Sequence, residues 1–298
     1  MKYKAGVDWG STSFRAYRYD TGGELLDCVS SSAGIKSLQS DEYENTLFDL
    51  IGHWLVPGDS VLLTGMITSA NGWHETPYLK CPVSLSKLAD HVVSVTLKDS
   101  ITALFFPGVC TDQPVADVMR GEELQLYGAL DQSAKNSEQI VVLPGTHSKW
   151  ARLCCGELIT FSTIITGELF DLLFNHSLVG ALAEGQEWFA DSFRQGVHEG
   201  YENSNLVSRL FAARSSVLLK SIAPKSVHSY LSGLLIGNEI RESALQFECS
   251  NQTVTVIGSE LLTKRYLTAF KYLDIPAIAH PNNASATGFA RLLLQGAS

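Results

Sequence analysis

Two stretches of this chain can be laid on one another. Val7, Asp8, Trp9, Gly10, Ser11, Thr12, Ser13, Phe14, Arg15, Ala16 matches Val142, Leu143, Pro144, Gly145, Thr146, His147, Ser148, Lys149, Trp150, Ala151, with Gly, a hydroxyl residue and Ser at equivalent places. Downstream, Gly23, Glu24, Leu25, Leu26 is echoed by Gly156, Glu157, Leu158, Ile159, with two fewer residues between turn and echo. Both copies lie in alternating apolar and polar residues, over 3–31 and 140–165, a pattern that predicts three strands joined by tight turns. Two matches in the same order point to a duplicated three-strand unit. The alternative is a pair of unrelated hairpins with Gly turns.

Length agrees with duplication, since 298 residues favour two domains or one large α/β domain. Apolar residues at 45% and charged residues at 18% place the chain among globular proteins and exclude disordered, collagen-like and coiled-coil classes. A formal net charge of −9 argues against nucleic acid as a partner. No apolar leader or long apolar run is evident, so a cytoplasmic protein without a membrane partner is expected. Cys28, Cys81, Cys110, Cys154, Cys155 and Cys249 show no C-x-x-C spacing and read as reduced core thiols. The histidines show no zinc-binding pattern. The sequons at Asn175, Asn251 and Asn283 carry no weight without a secretory signal.

Periodicity predicts a helix over 41–55, ended by Pro57 and Gly58, and a strand over 60–64. The aperiodic stretch Gly65 to Pro82 reads as a functional loop. Short strands are expected over 92–107, a helix over 112–130 and helices through 167–246. A strand over 253–257, a helix over 259–272, a short strand to Ala279 and a closing helix over 283–294 complete the chain.

A strand, a tight turn rich in Gly and hydroxyls, and a second strand can present backbone N–H groups and side-chain hydroxyls to phosphate oxygens. Gly10, Ser11, Thr12 and Ser13 form one such turn, and Gly145 and Thr146 open another. Neither is a Walker A loop, and no G-x-G-x-x-G or G-x-S-x-G occurs. Asp8 closes the first strand, where a carboxylate could hold hydrated Mg²⁺, although Asp before a turn also serves as a turn residue. Gly258 and Ser259 end a strand and open a helix, which suits either close approach of a nucleotide or an ordinary Ser N-cap. Glu122 and Glu123 begin a helix, where acids also complement the macrodipole.

The order of these signals carries more than each alone. Asp8 to Ser13, then Gly121 and Glu122 with Tyr127 and Gly128, then Gly145 and Thr146, then Gly258 and Ser259, then Ala286 to Ala290 resembles the actin-like ATPase and sugar-kinase superfamily. More narrowly the chain resembles the 2-dehydro-3-deoxygalactonokinases, relatives of the FGGY carbohydrate kinases. The stretches behind this are Asp8 to Arg15, Gly65 to Ile67 with Gly72, Trp73, Pro77 and Tyr78, Asp117 to Glu123, Leu143 to Trp150, Thr166 to Phe170 and Leu231 to Gly237.

The resemblance implies an α/β fold of two ribonuclease-H-like domains with an active-site cleft between them, placed at 1–120 and 121–298 with the last helix returning toward the cleft. It implies transfer of the ATP γ-phosphoryl group to the 6-hydroxyl of 2-dehydro-3-deoxy-D-galactonate. Gly10 to Ser13, Gly145 and Thr146 would hold phosphates, Asp8 would position Mg²⁺, and Gly258 and Ser259 would contact adenosine. Glu122 falls where FGGY kinases place a catalytic Asp, and Glu123 is the neighbouring candidate. A sugar acid wants a cation, and Thr68 to Asn71 holds no Arg, which leaves Arg15, Lys80, Arg120 and Lys149 as candidates. Trp73 could stack on the substrate or pack in the core, and Glu168 completes the expected substrate set. Another sugar kinase of this fold, and a non-catalytic nucleotide-binding protein, remain as alternatives, and a homodimer stays open.

Overall fold

The fold comes from a computed structural model that describes residues 3–130, 138–249, 252–281 and 283–295. The sequon at Asn251 lies outside them. In chain order the elements begin with β1 (Ala5–Trp9), β2 (Phe14–Tyr19), β3 (Leu25–Ser31), α1 (Tyr43–Ile51) and β4 (Ser60–Thr64). They continue with β5 (Tyr78–Lys80), β6 (Val83–Ser84), α2 (Leu85–Ala89), β7 (Val93–Thr96), β8 (Thr102–Phe105), β9 (Gly108–Thr111), β10 (Asp117–Met119) and α3 (Glu123–Ala129). The second half holds β11 (Glu138–Leu143), β12 (Ser148–Cys154), β13 (Glu157–Ile164), α4 (Thr166–His176), α5 (Ala190–Glu202), α6 (Leu206–Leu218) and α7 (Val227–Gln246). It closes with β14 (Val254–Val256), α8 (Glu260–Tyr272), β15 (Ala277–Ala279) and α9 (Ala284–Gln295).

Two compact units divide the chain. The first comprises Met1–Glu138, Leu153–Phe161 and Pro281–Ser298; the second comprises Gln139–Arg152 and Ser162–His280. These limits differ from a single boundary after residue 120, because α3 and α9 share the first unit. There the Arg291 guanidinium donates to the Leu130 carbonyl at 2.8 Å, and the Tyr19 hydroxyl donates to the Ala286 carbonyl at 2.9 Å.

The sheet of the first unit has the order β3-β2-β1-β4-β8-β7. β2 runs antiparallel to β1 and β3, whereas β4 and β8 continue parallel to β1. In β1 the side chains of Ala5, Val7 and Trp9 are fully buried, while Asp8 is less so, which leaves one carboxylate at the end of an apolar strand. α1 buries Tyr43, Leu47 and Ile51, the stripe that a period of 3.6 residues brings to one face.

A second six-stranded sheet repeats the plan, with the strand order β15-β14-β11-β12-β13-β6 and β14 parallel to both β11 and β15. The duplicated three-strand unit read from sequence is therefore β1-β2-β3 and β11-β12-β13, continued beside its first strand by β4, β8 and β7 in one copy and by β14 and β15 in the other. Trp150 is the centre of this core, with ring centroids 6.3 Å from Phe247 and 6.0 Å from Phe270. α7 is buried nearly all round and carries one fully buried acid, Glu239.

Two expectations need correction. Residues 112–121 are not helical: β10 and the turn before α3 occupy them, and Val115 and Val118, which mimic a helical apolar face, are exposed. The cysteines are free, but Cys28 and Cys155 are exposed and only Cys249 is buried, so they are not a set of core thiols.

Candidate active site

The acids of the first unit meet where β1, β4 and α3 converge. Asp8, next to last in β1, is in register with Thr64 at the end of β4, and Gly65 follows at once. Gly65 has φ +94°, and a Cβ there would stand 2.7 Å from the Trp9 carbonyl oxygen and 3.3 Å from Asp8 Oδ1. Gly121, with φ +109°, would bring a Cβ to 3.0 Å from the Gly65 α-carbon. Only two residues without side chains that tolerate positive φ let the start of α3 seat on the end of β4. That seat brings Glu122 within electrostatic range of Asp8.

Burial pushes the Asp8 carboxyl up, the Glu122 carboxylate adds to the shift and Arg15 opposes it, which leaves the group at about 7. Arg15 faces Asp8 across the β1-β2 pair and is exposed. Glu123 is fully buried; its Oε2 accepts the Gly121 N–H at 2.6 Å, and its Oε1 has no hydrogen-bond partner among the described residues. Burial, then Glu122, raises its carboxyl to about 8 against the Gly121 N–H and Arg120. Glu122 keeps partial exposure. Of the two glutamates it alone keeps exposure, although its Oε2 is buried.

The turn between β1 and β2 is closed by the Gly10 N–H donating to the Ser13 carbonyl at 2.8 Å. The Gly10 and Ser11 carbonyls are occupied from below by the N–H groups of Ile35 and Lys36, at 3.1 and 3.0 Å. Its residues remain open to solvent, with Thr12 the most exposed.

In the second unit the corresponding turn, between β11 and β12, leaves Thr146 and His147 exposed. Gly167 at the start of α4 packs so closely beneath it that a Cβ would collide with the Gly145 carbonyl oxygen. The Glu168 N–H donates to the Thr146 carbonyl at 3.0 Å, and the Glu168 carboxylate meets the His147 ring at 2.5 Å. His147 was not among the residues singled out from sequence. Its signal was its place in the turn, but its partner stands on another element. Gly258 and Ser259 are exposed; Ser259 caps α8, its hydroxyl accepting the Leu262 N–H at 3.4 Å.

The remaining substrate candidates are held by the protein itself. The Arg120 side chain is buried, and its guanidinium donates to Thr68 Oγ1 and the Thr68 carbonyl at 2.7 Å each, Thr76 Oγ1 at 2.5 Å and the Thr76 carbonyl at 2.9 Å. It also lies over the Tyr78 ring at 4.2 Å. Trp73 packs edge-on to Phe105 at 5.5 Å and against Tyr43 at 6.2 Å, in the core of the first unit. Lys149 is buried with its ammonium donating to Thr163 Oγ1 at 2.7 Å. Lys80 is exposed and paired with Asp112.

A family model described as 2-keto-3-deoxy-galactonokinase matches residues 8–292. The chain belongs to the 2-keto-3-deoxy-galactonokinase family. A curated relative, the 2-dehydro-3-deoxygalactonokinase of Escherichia coli strain K12, is 36% identical over 92% of this chain and 91% of its own. A crystal structure from Sinorhizobium meliloti, provisionally named a 2-dehydro-3-deoxygalactonokinase, superposes with a TM-score of 0.83 at 31% identity and covers 99% of this chain and 96% of that one. A Porphyromonas gingivalis structure, provisionally named an N-acetylglucosamine kinase, gives a TM-score of 0.53 at 15% identity, covering 100% of both chains, and shows shared fold alone. Fold class is thereby settled for this family member: the two units are those of an actin-like ATPase sugar kinase.

Proposed function

We propose that this member of the 2-keto-3-deoxy-galactonokinase family transfers the γ-phosphoryl group of ATP to the 6-hydroxyl of 2-dehydro-3-deoxy-D-galactonate, forming ADP and the 6-phosphate. The observation that carries the reading is the family match over residues 8–292 joined to the convergence of Asp8 and Glu122 on the Gly65–Gly121 seat. A non-catalytic nucleotide-binding protein has no need of two acids held so close that one raises the other.

Glu122 accepts the proton of the attacking hydroxyl, and Glu123, fully buried, holds the Gly121 N–H and so the start of α3. The Gly10–Ser13 and Gly145–Thr146 turns each supply phosphate contacts, and Gly258 and Ser259 lie beside the nucleoside. His147 and Glu168 stand on the second turn, where they orient an incoming hydroxyl or carboxylate. Phosphoryl transfer depends mainly on alignment and charge stabilisation, which backbone N–H groups and hydroxyls on rigid strands provide.

The donor set at Asp8 fits Mg²⁺. Hard carboxylate oxygens suit the ion, and Mg²⁺ takes one or two carboxylates together with substrate phosphates and water. No group of three or more His, Cys, Asp and Glu residues among the described ones is arranged to hold a metal by itself. Burial is the main cause of the raised Asp8 carboxyl; the Glu122 carboxylate, the second cause, favours positive charge beside it. When bound, the ion neutralises charge on the phosphates.

Among the described residues no helix is long and apolar enough to cross a membrane. Use of ATP fits a cytoplasmic enzyme. The test is an ADP-release assay with ATP, Mg²⁺ and a panel of sugar acids and neutral sugars. Turnover with 2-dehydro-3-deoxy-D-galactonate well above the rest is expected; preference for a neutral sugar would move the assignment to another kinase of this fold.

A further inference from the structure

The second unit contains a buried acid that the reaction above does not use. Glu239 lies on α7 between Leu234–Ile236 and Ile240 and is 1% exposed. Its Oε1 accepts the Trp150 indole N–H at 2.8 Å. Its Oε2 accepts the Tyr266 hydroxyl at 2.7 Å and the Thr166 hydroxyl. The Tyr266 hydroxyl in turn lies 3.1 Å from Ser148 Oγ.

One carboxylate thus ties α7 to β12 through Trp150, to α4 through Thr166 and to α8 through Tyr266. Each of these three elements begins beside a nucleotide candidate. Ser148 closes the turn that starts at Gly145. Thr166 precedes Gly167, which packs on Gly145, and Glu168, which bonds Thr146. α8 starts at the Ser259 cap. A small pocket of about 70 Å³ opens against this network, with Gly145, Thr166, Gly167, Arg265 and Tyr266 among its walls. Trp150 does not line it.

Burying a carboxylate is expensive, and a well-packed apolar side chain of similar volume often stabilises such a site more. Packing alone therefore does not account for an acid here. Carboxylate geometry does, since two oxygens with several lone pairs can bind three donors from three directions at once. We infer that Glu239 is a positioning residue, which fixes the Gly145–Ser148 turn and the start of α4 relative to α8 and thereby sets the affinity for nucleotide. It touches no substrate itself. The inference rests on the ATP-dependent reading above.

Glu239→Gln keeps the volume and the acceptor for Trp150, but turns an N–H₂ toward the Thr166 and Tyr266 hydroxyls, which must then reverse their donation. Trp150→Phe removes one donor from the side remote from the pocket and is the second variant should the first fold poorly. Wild type and both variants are compared by calorimetric titration with ATP, by KM for ATP and for the sugar acid separately, and by thermal melting. Wild-type binding of ATP is the control: its absence would overturn the kinase reading, and the nucleotide role of Glu239 with it. With wild type binding, each variant is expected to weaken ATP about tenfold while KM for the sugar acid stays within about twofold. The double variant should lose less than the product of the two single losses, because both act through one carboxylate. Variants whose melting temperature falls while ATP affinity and KM for ATP stay at wild-type values would overturn the inference and leave Glu239 a packing residue.

Discussion

Gly121 rests on Gly65: a Cβ on the first would stand 3.0 Å from the α-carbon of the second, and both have positive φ. This contact helps to set how near Glu122 comes to Asp8. Gly121→Ala therefore tests whether the seat matters to catalysis. Positive φ and a backbone collision together cost about 1–3 kcal/mol. The variant is expected to melt earlier and to lose kcat by more than tenfold, since a small displacement of a positioned base is costly. Unchanged kcat in a destabilised Gly121→Ala protein would show that the seat serves folding only.

The neighbouring glutamates separate by environment. Glu122 is partly exposed, whereas Glu123 is fully buried with one oxygen on the Gly121 N–H. A positioned base contributes roughly 10² to 10⁴ in rate. Glu122→Gln should lower kcat within that range and change KM little, whereas Glu123→Gln should retain most of the activity. Steady-state kinetics on both variants decide the matter, and the reverse ranking would move the base by one residue.

Asp8→Asn removes one charge beside Glu122 and leaves the Gly10–Ser13 backbone in place. Nucleotide should still bind, but the Mg²⁺ concentration for half-maximal rate should rise. Titration of activity against Mg²⁺ at saturating ATP reads this directly. A variant with wild-type turnover at low Mg²⁺ would return Asp8 to the role of a turn residue.

The raised Glu123 carboxyl has a consequence for stability, with a sign opposite to that of most acids. Its folded value is about 8 against an ordinary 4.5, with burial the main cause and Glu122 the second. Between those values the native state holds a proton that the unfolded state has released, so this group favours folding at low pH. Its contribution declines as pH rises from about 4.5 to about 8, at no more than about 1.4 kcal/mol per pH unit for one proton. Asp8, raised to about 7, acts in the same direction. Denaturant melts of the ligand-free protein from pH 5 to 8 should show this decline, and Glu123→Gln should flatten it. Equal slopes for wild type and Glu123→Gln would mean that Glu123 does not titrate there.

What was legible in the sequence was local. The turns at Gly10 and Gly145 announce themselves through Gly, hydroxyls and flanking alternation, and the strand orders β3-β2-β1-β4-β8 and β13-β12-β11-β14-β15 bear out the repeat that those turns revealed. The segment 112–121 misled because Val115 and Val118 supply apolar spacing without burial. Trp73 and Arg120 were ambiguous because their surroundings come from distant stretches, Phe105 and Tyr43 for one, Thr68 and Thr76 for the other. Glu239 was visible as an acid within an apolar helix, yet nothing in its own segment indicates that Trp150, Thr166 and Tyr266 converge on it.

Arg120 offers the sharpest contrast between a substrate cation and a structural clamp. Its donors hold two carbonyls and two hydroxyls of the loop that begins after Gly65, and Tyr78 covers its face. Lysine carries the same charge but cannot reproduce a planar fork with several fixed donors. Arg120→Lys should therefore strip donors from the Thr68 and Thr76 oxygens: the Thr68 carbonyl keeps the Thr76 N–H at 3.0 Å, whereas the Thr76 carbonyl loses the guanidinium, at about 1–3 kcal/mol for a group that water cannot reach. The expected result is a clear fall in melting temperature together with a raised KM for the sugar acid, because the loop that Arg120 braces loses its shape. A residue that merely paired with a substrate carboxylate would behave differently: Arg120→Lys would then raise KM while the ligand-free protein melted as wild type does. Melting curves without ligand, set beside KM for the sugar acid, separate the two roles.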